Sequence, residues 1–242
     1  MMFSPYLAFT FYKPLMTKTT RTLIFTTAAF VIPLSLFASA VMAQQGTLAA
    51  DGRLPAFTHV QTVEQDLARI DSALNGTGSF SGRFAQYGAD GSFAQGNVHL
   101  QRPGKVRFEY DDPNPLLIVS DGVTFTQHDK ALETYDRVPL SATPLNYFLK
   151  ENVNLARDTE VVSLQKLPAE WRVTAKDGSG TLDGAITMVF DPATLRLQEW
   201  IITDEFGGQT TVALQNLQYN QRMDPRLFIL REDSNRRDRR RR

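Results

Sequence analysis

From Gly78 onward the apolar residues of this 242-residue chain recur with a period of two, and clusters of Gly, Pro, Asp and Asn interrupt them at short intervals. A strand with one buried face has that period, and a helix cannot satisfy it. The alternation predicts strands over residues 79–87, 92–101, 105–110, 115–120, 123–128, 132–137, 158–166, 170–176, 185–191, 195–203 and 208–218. Arg102-Pro103-Gly104, Asp121-Gly122, Asp191-Pro192 and Gly207-Gly208 supply the connecting turns. "RLFIL" at 226–230 reads as an added edge strand. A meander this long closes into a barrel or curls strongly, because an open flat sheet exposes edges that aggregate.

Two segments break the pattern. Val60, Val63, Leu67, Ile70 and Leu74 recur at three- and four-residue steps, which predicts one amphipathic helix. Thr58 with Gln61 fits a capping box, and Gly76 fits a C-terminal stop. Between the sixth and seventh strands, "VPLSATPLNYFLKEN" predicts a short helix capped by Ser141 or Thr143, with Pro144 at its first position. Leu145, Phe148 and Leu149 form its apolar face. The expected architecture is mainly β (α+β), a curved antiparallel sheet of about eleven strands whose concave face is covered by two helical pieces.

The beginning of the chain reads as a targeting segment. Lys18 and Arg21 precede an apolar run from Leu23 to Phe37, and small residues follow in "ASAVMAQQ". That pattern fits a cleaved signal peptide over 1–43, with cleavage after Ala43. "MTKTTRTLIF" from Met16 is already a complete signal start, so residues 1–15 read as a start-site artefact. Residues 44–57 form a leader, 58–230 a single domain, and 231–242 an Arg-rich tail with seven arginines against three acids. The tail reads as solvated, or as weakly attracted to an anionic membrane or an acidic partner. The chain has no cysteine, so no disulfide holds it and no lipid can be attached at a cleavage-site cysteine.

Catalytic and metal chemistry have little to work with. Lys plus Arg and Asp plus Glu balance at 26 each, which gives no global field for nucleic acid. His59, His99 and His128 stand at no metal-ligand spacing, and the phase of His99 opposite Val98 and Leu100 turns it to solvent. Most acids sit in turns. The expectation is a binder and not an enzyme, with no cofactor and no metal. Its apolar side is rich: Phe80 and Phe84 share a face of one strand, and Val106, Phe108 and Tyr110 share a face of another. A curved sheet under two modest helices leaves apolar volume unfilled, a common basis for a lipid site.

"SGRFAQYGADGSFAQGNVHLQRPGKVRFEYDDPNPLLIVSDG" resembles the outer-membrane lipoprotein carrier family, the periplasmic LolA proteins. The likeness lies in an F-x-Q strand (Phe84, Gln86), a hairpin strand ending in R-P, alternating aromatics, and L-x-V-S-D-G. It runs on through "TPLNYFL" and "MVFDPATLRLQEWIITDEFGGQTTVAL". The resemblance implies an unclosed β-barrel with a helical lid, acting as a monomer. It implies acylated lipoproteins as cargo, a lipoprotein-releasing ABC transporter of the inner membrane as donor, and an outer-membrane acceptor. Arg102 matches the family arginine that bonds to lid backbone, and Phe108 with its neighbours matches the aromatics of the acyl cavity. The candidate ligand-binding residues are therefore Arg102, Val106, Phe108, Tyr110, Phe84 and Phe148. Two departures stand out: position 108 is Phe where better-known members carry Trp, and the Arg-rich end replaces a more hydrophobic extension.

Overall fold

The computed structural model describes residues 61–180 and 182–230. Eleven strands follow one helix: α1 (Val63–Gly76), β1 (Ser79–Tyr87), β2 (Phe93–Gln101), β3 (Lys105–Tyr110), β4 (Leu116–Asp121), β5 (Thr124–Asp129) and β6 (Thr134–Pro139) come first. A lid segment follows, with a 3₁₀ turn at Leu140–Ala142 and two short helices, α2 (Asn146–Leu149) and α3 (Leu155–Asp158). β7 (Glu160–Lys166), β8 (Trp171–Lys176), β9 (Ala185–Phe190), β10 (Leu197–Thr203) and β11 (Gln209–Tyr219) complete the sheet. All neighbours are antiparallel, in the order β6-β5-β4-β3-β2-β1-β11-β10-β9-β8-β7. β6 and β7 do not pair, so the sheet is not closed.

The sheet is nevertheless strongly curled. β3 and β10 lie four strands apart, which in a flat sheet is about 19 Å. Yet the rings of Phe108 on β3 and Trp200 on β10 have centroids 6.0 Å apart. The two wings have folded toward each other, and α1 with the lid segment fills the space between. Leu67, Ile70 and Leu74 of α1 and Leu145, Phe148, Leu149 and Leu155 of the lid segment join Phe84, Phe108, Val173, Met188 and Trp200 in one buried core.

Several local expectations change. The capping box belongs to Thr62 and Gln65, each bonding the other's backbone N–H, so α1 starts at Val63. Thr58 and Val60 lie outside the described residues, as do the signal peptide, the leader and the Arg-rich tail. Val63 is half exposed and leaves the apolar stripe. No side chain caps α2: Thr143 donates its hydroxyl to the Leu140 carbonyl, finishing the preceding 3₁₀ turn. Residues 155–158, read partly as strand, form α3 capped by Asn154.

The end of the domain is also different. Residues 225–228 form a 3₁₀ turn and not an edge strand, because Asp224 caps the turn and Pro225 cannot donate to a ladder. This segment crosses the outer face of β3 and β4. Phe228 is 2% exposed, and Arg107 donates to the Leu227 carbonyl at 3.3 Å. β4 is consequently buried on both faces, Ile118 inward and Leu117 and Val119 outward. His99, on that same outer face, is half-buried and not solvated, and burial together with Arg107 lowers its pKa.

Candidate functional site

Arg102 stands in the turn between β2 and β3, and its guanidinium reaches under the lid. It donates to the Leu74 carbonyl at 2.7 Å, the Phe148 carbonyl at 3.1 Å, Asn75 Oδ1 at 2.9 Å, the Glu151 carbonyl at 3.1 Å and the Lys150 carbonyl. Four of these acceptors are backbone carbonyls at or just past the C-terminal ends of α1 and α2, where the helix dipole also favours a cation, and the fifth is the Asn75 side chain. Burial lowers the Arg102 pKa from the usual arginine range, but arginine remains charged at any physiological pH. One side chain thus joins the sheet to both lid pieces. The neighbouring turn helps, as Gly104 N–H donates to the Leu149 carbonyl at 2.8 Å. Gly104 sits at φ +69°, and a Cβ there would lie 2.7 Å from Gly122 Cα, so only glycine fits.

The two lid pieces are also tied to each other. Asn75 accepts from Val153 N–H and donates to the Val153 carbonyl, both at 2.9 Å. Asp71, 9% exposed, accepts from Leu155 N–H at 3.1 Å. Burial raises the Asp71 pKa, and nearby Asp158 adds to the rise. Burial also opposes the Asp158 charge, but bonds from Arg157, Lys150 and the Asn154 N–H outweigh it and hold that carboxyl at about 2.

The other predicted residues do converge beneath the lid. Phe84 contacts Phe108 at 5.2 Å and Tyr110 at 5.0 Å, both edge to face, and Phe148 meets Trp200 at 5.3 Å. Val106 lies nearer Arg102, between Leu100 and Ser120. Tyr110 donates its hydroxyl to Gln86 Oε1 at 2.6 Å, and burial drives its pKa strongly upward. Gly96 makes room for this cluster: a Cβ there would stand 2.8 Å from the Phe84 ring.

The expected unfilled volume is absent at this cluster. Phe84, Phe108, Phe148 and Trp200 are each no more than 3% exposed, and they occupy the interior themselves. A cavity of about 20 Å³ remains at the latch, lined by Leu74, Thr77, Phe80, Leu100, Phe148 and Tyr219 beside Arg102. That holds about one water, whereas ligand pockets run to roughly 300 Å³ or more. The interior is a stack of side chains in this closed form, and an apolar guest needs the lid to move.

Sequence reasoning missed Asn75 and Asp71. The Asn-Gly pair at the helix end was a visible turn signal, but nothing in the sequence says that Asn75 faces a segment 78 residues away. Trp200, which the strand pattern does not single out, is the ring where the two wings and α2 meet.

A curled, unclosed antiparallel sheet with an aromatic interior and a lid latched through its backbone is the architecture of a lidded half-barrel. The family model described as "Outer membrane lipoprotein carrier protein LolA" matches residues 75–231, and the chain belongs to that family. The outer-membrane lipoprotein carrier protein of Azotobacter vinelandii is 25% identical over 188 residues, covering 72% of this chain and 87% of that protein. The protein of the same name from Nitrosomonas europaea is 28% identical over 169 residues, covering 66% and 81%. A solved LolA superfamily protein from Nitrosomonas europaea has a TM-score of 0.42 at 12% identity, covering 70% of this chain and 99% of that one. Among the described residues no helix is long and apolar enough to cross a membrane.

Proposed function

We propose that the protein is a periplasmic carrier for the acyl chains of lipoproteins. It takes them as an ATP-driven transporter releases them from the inner membrane, and hands them to an outer-membrane acceptor. Family membership and the apolar interior support this reading. The observation that carries it is Arg102, which holds two lid pieces over an aromatic interior by bonds to backbone carbonyls alone plus Asn75.

The energetics suit a carrier. Each methylene hidden from water contributes about 0.8 kcal/mol, so an exposed acyl chain is strongly driven into the interior. A charge-assisted hydrogen bond contributes about 1.5–3 kcal/mol net when buried. The five Arg102 bonds are part-buried or exposed and water replaces them on opening, so unlatching is a modest barrier that needs no ATP at the carrier itself. The guest then favours the open state by its differential affinity. Arg102, Val106, Phe108, Tyr110, Phe84 and Phe148 are proposed to contact cargo or gate it.

Native mass spectrometry of protein purified from its own periplasm tests the reading. Bound acylated lipoprotein is expected. Recovery of phospholipid or glycolipid alone would replace it with a carrier or sensor of another amphiphile on the same fold.

A further inference from the structure

The Arg102 latch acts at the C-terminal end of α1, where the helix is already tethered: Thr77 and Gly78 alone separate it from β1. Gly78 is fixed to the sheet, its carbonyl accepting from Arg102 N–H at 2.9 Å. A Cβ added to Gly76 or Gly78 would meet nothing within 4 Å, so crowding explains neither glycine. What glycine supplies there is backbone freedom at a joint. A helix joined to the sheet at one end swings most at the other end. Beyond the ties of Asn75 and Asp71 to the lid segment, the far end of α1 therefore has the longest lever on closure.

That end holds an unusual contact. Asp66 is 2% exposed and its Oδ2 accepts from Lys166 Nζ at 2.6 Å. Lys166 is the last residue of β7 and stands opposite Trp171 across the β7–β8 hairpin. The Lys166 ammonium and the Arg69 guanidinium each lie 5.1 Å from the centre of the Trp171 ring. Arg69 also reaches Asp66 Oδ1 at 3.5 Å. A buried carboxylate is costly unless paired, and its main partner comes from the sheet and not from the helix. Asp66 lies ten residues before Gly76, so at 1.5 Å per residue it acts about 15 Å from the joint.

We propose that Asp66, gripped by Lys166 over Trp171, is a second latch, and that α1 opens as a flap about Gly76–Gly78. This rests on the carrier reading, because it assigns the pair to the uptake step. Arg102 fastens the hinge side and the lid segment, while Asp66 fastens the N-terminal end of α1 to the hairpin at the sheet edge. Opening there parts Leu67 and Ile70 from the buried core first.

The chain lacks cysteine, so Glu64→Cys and Leu167→Cys in the full chain give unique spin-label sites on the helix and the hairpin. Pulsed electron–electron resonance should show one short distance, and Lys166→Met or Asp66→Asn should add a longer one. Uptake of a fluorescent long-chain fatty acid should become roughly fivefold faster in both variants. Lys166→Arg keeps the charge and the ring contact and should behave as the parent. An unchanged distance distribution in both variants would overturn the second latch even if the parent takes up the probe normally. A parent that takes up no acyl probe would instead overturn the carrier reading, and the distances would still decide the latch.

Discussion

The two faces of β3 and β4 are covered in opposite ways. Inside, α1 and the lid segment are joined to the sheet through Arg102, whose bonds end on backbone carbonyls and Asn75, beside a cavity of about 20 Å³. Outside, the turn at Pro225–Phe228 lies against β3 and β4, and the segment buries two side chains, Phe228 at 2% and Met223 at 9% exposure. Three hydrogen bonds accompany that packing: Arg107 to the Leu227 carbonyl, Ser79 Oγ to the Gln221 carbonyl, and Asn220 N–H to the Ser79 carbonyl. Packing forfeits its energy steeply with small displacements, whereas a few directional bonds can break and re-form as a unit. The inner cover adds to its own packing, that of Leu67, Ile70, Leu145 and Phe148, a latch of directional bonds gathered on one side chain, which the outer cover lacks.

Three substitutions break this contrast at different points. Phe228→Ala should cause the largest loss, about 3–5 kcal/mol of global stability, read as a lowered urea midpoint. Cargo uptake by the folded fraction should be unchanged, since the residue lies behind the sheet. Arg102→Leu removes every side-chain donor of residue 102, leaving the Gly104 N–H bond to Leu149, and should lower global stability less, by about 1–3 kcal/mol. Its main effect is on the lid: amides of residues 146–150 should lose exchange protection, and transfer of lipoprotein to an acceptor should slow. Transfer at the parent rate would refute the latch. Asn75→Ala should weaken closure by about 1–2 kcal/mol, because Val153 and Arg102 each lose a partner. It should deprotect Val153 and Leu155 while leaving β3 and β4 untouched, and exchange mass spectrometry reads the difference.

How much of this contrast the sequence carried depends on the range of each signal. Strand existence was legible because a period of two is local, and it put Val106, Phe108 and Tyr110 on one face, while the lid and the part of Arg102 in it came only from the family resemblance. The outer cover was not legible: "RLFIL" has strand-like composition, and only Asp224 and Pro225 hinted at a turn. The fate of His99 followed from that miss, since parity correctly put it on the outer face but could not reveal a segment lying over it. The filled interior was also hidden. Counting aromatics gives surface to be buried, but whether the rings pack together or line a void depends on how far the sheet curls. Phe108 against Trp200 settles that, and the two residues are 92 positions apart.

The smallest expected effect concerns charge within the inner cover, where two neighbouring carboxyls should make lid closure depend on pH in opposite directions. Asp158 has its native pKa at about 2, below the unfolded value, so its contribution is present above about pH 4 and is lost as pH falls toward 2. Asp71 is shifted upward by burial, so the native state holds its proton more tightly than the unfolded chain. Its effect runs the other way: closure weakens as pH rises from about 4 through the native Asp71 pKa, then levels off. Closure should therefore be firmest in mildly acidic solution, between the two windows. Asp71→Asn keeps an acceptor for Leu155 N–H but cannot ionise, and should flatten the fall on the higher-pH side while leaving the acid side intact. Asp158→Asn should flatten the acid side and also lessen the higher-pH fall, since Asp158 adds to the Asp71 shift, and it releases Lys150 and Arg157. The spin-label distances of the closed lid, followed against pH in each variant, separate the two. Identical profiles for Asp71→Asn and the parent would show that Asp71 does not couple protonation to the lid.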